Sequence, residues 1–202
     1  MKTKTEAKRL AILKAAAEVF RRTGFEGASM AEIQKRVGGS KATLYNYFPS
    51  KERLFFEVMY QANEVELDTI VASLQDEVAD LRSALLAFGA QLLRFVYTPD
   101  AIAIRRLAIA ESGRSDIGKM CYERANVPTE RHVSEFLKRA MKRGELRIGD
   151  PKHAALHLLA LLESEYFQRV LFGATAPPGP EAIKASVRRA VEAFLTGYAK
   201  RS

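Results

Sequence analysis

The sequence predicts an all-α protein with two domains. A three-helix domain containing a helix-turn-helix covers residues 1–50, and a six-helix domain covers residues 51–202. Apolar residues recur at spacings of three and four, and alternating β-branched residues are absent. Capping residues, glycines and prolines divide the chain into helix-length segments. Gly38 and Gly39 separate two short helical segments by a tight turn, which is typical of a helix-turn-helix.

The first two helices are predicted from their apolar faces and their ends. The first covers about residues 5–23, and four residues at helical spacing form its apolar face: Leu10, Leu13, Ala17 and Phe20. Gly24 can adopt the left-handed conformation that ends a helix. The second begins at Ser29, which forms a capping box with Glu32, and ends before Gly38.

The third predicted helix is short and covers residues 41–48, with Ser40 before it and Pro49 after it. Leu44 and Phe48 lie four apart and can bury one face, which leaves the polar side chains outside. A helix of this length is marginal alone, so other helices must hold it in place. A supported short helix that presents hydrogen-bonding side chains suits the major groove of DNA.

Six further helices are predicted, over residues 50–74, 81–97, 99–111, 116–143, 150–172 and 180–200. The fourth of these is expected to break or kink near Pro128, because proline removes a helix hydrogen bond. Residues 154–162 are apolar nearly all round, so both sides of this helix should be covered. With the last helix it can form a four-helix seam with a second copy of the chain, and an internal core helix is the alternative.

Positive charge is concentrated at the N-terminus. Of the net charge of +8, residues 1–54 contribute +7, from 12 Lys and Arg against 5 Asp and Glu. This asymmetry indicates that the N-terminal domain meets a polyanion. No apolar run reaches membrane-spanning length, the N-terminus lacks a signal-peptide core, and Cys121 is the single cysteine. We therefore expect a cytoplasmic protein without membrane association or an intrachain disulfide.

Patterns that resemble catalytic or metal sites lack the context that such sites need. Residues 113–119 have the spacing of a phosphate-binding loop, but Met120 replaces the required Ser or Thr. His153 and His157 share a helix face without a third ligand nearby. We expect no catalytic residue, metal or cofactor. An all-helical cytosolic enzyme and a protein-binding adaptor remain the alternatives, and an adaptor would leave the positive charge without a polyanion.

Residues 40–55, Ser-Lys-Ala-Thr-Leu-Tyr-Asn-Tyr-Phe-Pro-Ser-Lys-Glu-Arg-Leu-Phe, resemble the TetR/AcrR-type transcriptional regulators, and so does the order of the elements. The motif match covers about residues 5–58, and residues 106–123 resemble AefR-type ligand domains. The resemblance implies a homodimer with a DNA-binding domain and a small-molecule pocket. It further implies a repressor that binds a palindromic double-stranded operator and is released by a small effector.

The resemblance places the base-reading and phosphate-binding positions on and around the third helix, at Ser40, Lys41, Ala42, Thr43, Tyr45, Asn46, Tyr47 and Lys51. Ser29 is a further phosphate candidate because it starts a helix. Asn46 suits adenine, the methyl groups of Ala42 and Thr43 suit the thymine methyl, and Lys41 suits guanine or phosphate.

Three positions depart from the family pattern. Gln34 replaces an alanine, Gly39 a small apolar residue, and Ala42 a common glycine. We expect the long side chain of Gln34 to fill space that Gly39 leaves.

Two sets of residues in the second domain are candidates for the pocket and for the dimer interface. The pocket candidates are mostly aromatic or aliphatic, which favours an apolar or aromatic effector, and plain core is their alternative role. They are Phe88, Leu92, Phe95, Ile104, Leu107, Tyr122, Phe136, Glu163, Tyr166 and Phe167. The interface candidates are Leu158, Leu162, Glu165, Arg169, Val187, Val191 and Phe194.

Overall fold

The computed structural model describes residues 5–74 and 80–200. Within these ranges the chain forms helices and no β-strand, which confirms the all-α prediction. The chain divides into two compact units, an N-terminal unit that ends at Glu64 and a C-terminal unit that begins at Val65. The expected functional division after residue 50 stays a prediction, because compactness does not show which residues bind DNA.

The N-terminal unit contains α1 (Glu6–Gly27), α2 (Met30–Val37), α3 (Lys41–Tyr47) and the first part of α4 (Lys51–Ala72). This order confirms the predicted helix-turn-helix.

Helix α1 differs from its prediction in length and in its buried face. The backbone leaves helical geometry at Gly24, where φ is +69°, and then makes a further turn. Its buried side chains are Ile12, Leu13, Ala16, Val19 and Phe20. Leu10 is exposed, so the predicted apolar face was partly wrong. Apolar residues lie on two adjacent faces of α1, and only the packing partners determine which face is buried.

Aromatic and ionic contacts join α1 to α4. The Phe55 ring lies 5.0 Å from the Phe20 ring and 4.9 Å from the Phe25 ring, centroid to centroid. The buried Glu57 carboxylate accepts hydrogen bonds from Arg9 at 2.8 Å and Arg53 at 3.3 Å. Two guanidinium groups thus compensate the desolvation of this carboxylate.

The C-terminal unit contains the rest of α4 and eight further helical elements. They are α5 (Leu81–Val96), α6 (Pro99–Glu111), α7 (Ile117–Cys121), a π-helix (Tyr122–Asn126), α8 (Val127–Lys142), α9 (Pro151–Glu163), α10 (Phe167–Leu171) and α11 (Pro180–Tyr198). Buried residues of α5, α8, α9 and α11 dominate the core. A Cβ atom added at Gly89 of α5 would lie 2.8 Å from both Leu162 and Val187, so these helices approach closely.

Two predicted helices differ from those observed. The expected kink near Pro128 is a π-helix that runs directly into α8, and the Val127 amide donates to the carbonyl of Tyr122. The wider turn lies where proline cannot donate a helix hydrogen bond. The helix expected over residues 150–172 is divided, because α9 ends at Glu163. There the Ser164 hydroxyl donates to the carbonyl of Leu161 at 2.7 Å and competes with continuation of the helix.

No helix in the described ranges is long and apolar enough to cross a membrane. The same residues contain no group of three or more His, Cys, Asp and Glu side chains suited to hold a metal ion. The segment with phosphate-loop spacing follows helix α6 rather than a strand, as expected.

Candidate nucleic-acid interface and ligand cleft

Helix α3 presents one buried and one exposed face. Leu44 and Phe48, at its buried side, are each 3% exposed. Lys41, Ala42, Tyr45 and Asn46 are exposed, and Thr43 and Tyr47 are half-buried. The six candidate base-reading positions therefore occupy one short helix, and all of them retain solvent-accessible surface.

Contacts within α3 order part of its exposed face. The Ser40 hydroxyl caps the helix by accepting a hydrogen bond from the Thr43 amide at 3.1 Å. The Ser40 and Thr43 hydroxyl oxygens lie 2.9 Å apart, which restrains the Thr43 side chain. The Lys41 ammonium lies 5.6 Å from the centroid of the Tyr45 ring. Asn46 is also exposed on this helix.

Side chains from α1 and α2 support the turn before α3. Gly38 and Gly39 have φ values of +68° and +93°, a region that favours glycine. The Gln34 amide donates to the Gly39 carbonyl at 2.6 Å, so these two residues are in contact. That the Gln34 side chain fills space left by Gly39 stays a prediction. The Lys8 ammonium donates to the carbonyls of Val37 at 3.3 Å and Gly38 at 3.4 Å. Backbone groups at the end of α2 are thereby satisfied.

Two candidate DNA-binding side chains also have structural contacts. The Tyr47 hydroxyl accepts a hydrogen bond from the backbone amide of Thr5 at 2.7 Å. The Lys51 ammonium donates to the carbonyls of Phe25 at 2.9 Å and Ala28 at 3.3 Å, and it lies 4.3 Å from the Phe25 ring centroid. Two of the three hydrogens of the ammonium group therefore bond to these carbonyls. The phosphate-binding role of Lys51 stays a prediction.

Ser29 is exposed at the start of α2, where its hydroxyl accepts a hydrogen bond from the Glu32 amide at 3.2 Å. The Glu32 carboxylate pairs with Arg22 of α1. The capping role of Ser29 is therefore observed, and its phosphate-binding role stays a prediction.

The C-terminal unit contains a cleft of about 340 Å³ between α6, α7, the π-helix and the end of α9. Its lining residues are Arg105, Ala108, Ile109, Ser112, Gly118, Cys121, Tyr122, Asn126, Glu163 and Phe167. Tyr122, Glu163 and Phe167 belong to the predicted pocket set. We refer to this feature as the cleft.

One end of the cleft contains two charged side chains that pair with each other. Arg105 donates to the Glu163 carboxylate at 3.0 Å, and its guanidinium lies 4.6 Å from the centroid of the Phe167 ring. Tyr97 belongs to the core and does not line the cleft; it is 5% exposed, and its hydroxyl has no hydrogen-bond partner among the described residues. Burial and then the negative charge of Glu163 raise the pKa of Tyr97 to about 12. Burial also raises the pKa of the Cys121 thiol.

The other predicted pocket residues do not line the cleft. Phe88, Leu92, Phe95 and Phe136 belong to the core, Ile104 is buried, and Leu107 is half-buried. Tyr166 lines a second, open depression with Ser164, Glu165, Gln168 and Arg169. Arg105, Ala108, Ile109 and Ser112 line the cleft and were not in the predicted set, although their spacing of three, one and three places them on one face of α6 and its C-cap.

The predicted dimer-interface set requires a correction. Leu158, Leu162, Val187, Val191 and Phe194 are each at most 1% exposed within a single chain. Their side chains are buried in the core of this unit, so they do not form an external contact surface. The near-continuous apolar run in α9 explains the error, because periodicity does not show which face a second copy would cover.

Glu165 and Arg169, the polar members of that set, are accessible to solvent. Glu165 accepts hydrogen bonds from Arg189 of α11 at 2.8 and 2.6 Å. These bonds hold the pKa of Glu165 below its usual range. The pair links the turn after α9 to α11 within one chain.

The geometry defines a class of protein, in which a helix-turn-helix presents a polar short helix and an all-helical second unit contains a cleft. Comparison with known proteins identifies the family. A family profile described as "Bacterial regulatory proteins, tetR family" matches residues 12–58. A second, "AefR-like transcriptional repressor, C-terminal domain", matches residues 83–200. The chain belongs to the TetR family of transcriptional regulators, which are not enzymes.

Individual relatives agree with this assignment. The HTH-type transcriptional regulator RutR of Escherichia coli strain K12 is 40% identical over 70 residues, which are 35% of this chain and 33% of RutR. The match thus spans about a third of that relative. A TetR-family regulator from Mesorhizobium loti has a TM-score of 0.80 at 27% identity, covering 98% of this chain and all of its own. The flavonoid-responsive regulator FrrA has a TM-score of 0.72 at 31% identity, with the same coverage.

Proposed function

We propose that this TetR-type regulator is a cytoplasmic repressor that binds a palindromic operator as a homodimer and is released by a small apolar or aromatic effector. The exposed polar face of α3 is the observation that supports operator binding most directly. Its apolar side is buried, its first turn is capped by Ser40, and the preceding turn is held by Gln34 and Lys8. A reading helix needs such support, since seven residues do not form a stable helix alone.

The exposed side chains of α3 supply three kinds of contact. Asn46 can make paired hydrogen bonds to adenine, and the methyl groups of Ala42 and Thr43 suit the thymine methyl. Lys41 is exposed and can bind guanine or phosphate. Base contacts of this kind determine specificity, and phosphate contacts determine affinity and salt dependence.

The proposal is tested by selecting the preferred site from random duplex DNA and measuring binding by fluorescence anisotropy at several salt concentrations. Asn46→Ala should lose about 1–3 kcal/mol of binding to the selected site and little binding to scrambled DNA. Lys41→Ala should weaken binding to both and reduce the salt slope by about one. Lys142→Ala, which removes an exposed charge from α8, is the matched control. Equal wild-type affinity for selected and scrambled DNA would contradict the proposal.

The small size of the helix-turn-helix supports the proposed homodimer. One helix-turn-helix contacts one half-site, and two of them separated by about one DNA turn combine weak contacts into a stable complex. Because the predicted apolar positions are internal, we propose that the outward surfaces of α9 and α11 form the interface. Ala160 and Glu192 lie on those exposed surfaces.

An aromatic effector is supported by the cleft and by one relative. The cleft has the size of a small ligand site and combines Phe167, Tyr122 and Ile109 with a few polar groups. FrrA, which is similar over nearly the whole chain, is described as flavonoid-responsive. We propose that this protein also responds to an aromatic compound.

A further inference from the structure

The Arg105–Glu163 ion pair supplies the formal charges in the lining of the cleft. Arg105 comes from α6 and Glu163 from the last residue of α9. The Nη1 atom of Arg105 donates to one carboxylate oxygen of Glu163 at 3.0 Å, and both side chains are mostly shielded from solvent. One positive and one negative charge cancel, so the described lining of the cleft has no net charge.

The other polar side chains of the lining are uncharged. Ser112 contributes a hydroxyl and Asn126 an amide. Burial raises the pKa of the Cys121 thiol, so the thiol stays protonated at pH 7. The Tyr122 hydroxyl already donates to Glu130 at 3.0 Å, which leaves the ring of Tyr122 to contact a ligand. The ion pair is therefore the strongest hydrogen-bonding feature that the cleft offers to a ligand.

The ion pair retains donors and an acceptor that no other described residue uses. A guanidinium group has five N–H donors, and Arg105 uses one of them on Glu163. The second carboxylate oxygen of Glu163 accepts no hydrogen bond from residues 5–74 and 80–200. The Arg105 guanidinium also lies 4.6 Å from the centroid of the Phe167 ring, which restrains its position. Donors and an acceptor thus lie side by side on residues that line the cleft.

The two opposite charges restrict the ligand that can bind beside them. A carboxylate that approached Arg105 would be repelled by Glu163, and an ammonium group that approached Glu163 would be repelled by Arg105. An amide carries a carbonyl acceptor next to an N–H donor and has no formal charge. It can therefore bond to both members of the pair while their ion pair stays intact.

We propose that the Arg105–Glu163 pair makes the cleft selective for neutral aromatic amides. The amide carbonyl accepts a hydrogen bond from Arg105, and the amide N–H donates to Glu163. The aromatic ring lies against the apolar part of the lining, which includes Phe167 and Ile109. This inference rests on the proposed effector-binding function and specifies the ligand class of the same cleft.

The test uses four probes that share one aromatic frame: 2-naphthamide, naphthalene, 2-naphthoate and 2-naphthylmethylammonium. Their binding to the full chain is measured by equilibrium dialysis at pH 7 without DNA. We expect 2-naphthamide to bind about tenfold more tightly than each of the other three. Equal affinity for all four probes, tighter binding of a charged probe, or no binding of 2-naphthamide up to its solubility limit would overturn the proposal.

Two substitutions change the charge of the cleft in opposite directions. Glu163→Gln leaves Arg105 without its counter-charge, so the affinity for 2-naphthoate should rise about tenfold. Arg105→Gln leaves Glu163 unpaired, so the affinity for 2-naphthylmethylammonium should rise about tenfold. The double variant has no formal charge in the described lining and should bind both charged probes as weakly as the wild type. Unchanged affinity for the charged probes in both single variants would contradict the role of the pair.

Lys119 and Glu123 provide a matched control pair outside the lining of the cleft. Their charged atoms lie 3.7 Å apart, and both side chains are exposed. Glu123→Gln and Lys119→Gln change the charge of the protein by the same amounts as the two cleft variants. Both control variants should leave the affinities for all four probes unchanged. An equal gain of 2-naphthoate affinity in Glu123→Gln and Glu163→Gln would overturn the proposal, because overall charge would then explain the selectivity.

Circular dichroism of each variant shows whether it keeps the helical fold. If a cleft variant does not fold, the order of the four wild-type affinities still decides the proposal. Operator specificity is measured on the same wild-type preparation. Its loss contradicts the proposed regulator, whereas the dialysis results test the ligand class of the cleft alone.

Discussion

Lys41 and Lys51 carry the same charge on consecutive helices, but their surroundings differ. The Lys41 side chain is exposed, and its ammonium lies near the Tyr45 ring. The Lys51 ammonium is held by the carbonyls of Phe25 and Ala28 at the end of α1. Hydrogen bonds from a charged donor to backbone groups contribute more than neutral ones. Residue type alone therefore does not separate a DNA-binding lysine from a structural one.

We predict that Lys51→Ala destabilises the protein by about 1–2 kcal/mol, because two carbonyls lose their donor. Lys41→Ala should change the free energy of unfolding by less than about 0.5 kcal/mol, as expected for an exposed residue. Urea unfolding followed by circular dichroism measures both. Equal unfolding midpoints for Lys51→Ala and the wild type would show that these carbonyl contacts contribute nothing.

The Glu165–Arg189 pair gives a prediction about pH. The pKa of Glu165 is lowered by hydrogen bonds from Arg189, so its stabilising contribution is present above the unfolded value of about 4.5. That contribution is lost as pH falls through the lower folded pKa. Arg189→Gln should therefore lower the melting temperature slightly at pH 7, and the difference should shrink as the pH falls below about 4. Arg188→Gln, which changes an exposed neighbouring residue, is the control. A difference in melting temperature between Arg189→Gln and the wild type that grows as the pH falls would contradict the prediction.

At the scale of elements, close helix approaches depend on individual glycines. Gly89 lets α5 approach α9 and α11, and an added Cβ would be 2.8 Å from carbons of Leu162 and Val187. Gly197 lies in α11 with no atom within 4 Å of an added Cβ. The two glycines share a helical setting and differ in packing, which makes them a matched pair.

We predict that Gly89→Ala destabilises the protein. Overpacking costs about 1–3 kcal/mol, and the better helix propensity of alanine returns about 1 kcal/mol. Gly197→Ala should instead be neutral or stabilising, because it gains propensity without a clash. Thermal and urea unfolding of both variants measure the difference. A Gly89→Ala protein at least as stable as the wild type would show that the helices separate at little cost.

For the whole molecule, the corrected interface changes the expected behaviour of two substitutions in α9. Ala160→Glu, on the exposed side, should give a monomer that keeps its helicity and loses operator affinity, because glutamate is a good helix former. Leu162→Glu should reduce helicity and stability instead, since it places a carboxylate in the core. Light scattering at micromolar concentration and circular dichroism distinguish these outcomes. A monomeric wild-type protein would contradict the dimer.

Release of DNA by an effector predicts a reciprocal effect between the two ligands. Helix α4 contains residues of both units, so we propose that it transmits the effect of the effector. If the effector weakens operator binding about 100-fold, the coupling free energy is about 2.7 kcal/mol, and the operator must weaken effector binding equally. Titration of the effector with and without saturating operator measures this coupling. Unchanged effector affinity would exclude release by this mechanism.

Local sequence patterns were sufficient to predict the all-helical class, the order of the helices and the polar face of α3. These features depend on local periodicity, on caps such as Ser29, Ser40 and Thr98, and on the glycine turn, so neighbouring residues suffice to predict them. The motif in residues 40–55 also identified the family.

Only the tertiary structure determined which apolar residues are internal and which groups meet. Leu162 and Phe194 belong to helices with several apolar sides, and the packing partners alone place them in the core rather than on the surface. The cleft brings Arg105 and Glu163 together as an ion pair, although they lie 58 positions apart in the chain and show no common sequence pattern. Helical periodicity describes one helix at a time, whereas burial and pairing depend on contacts between helices.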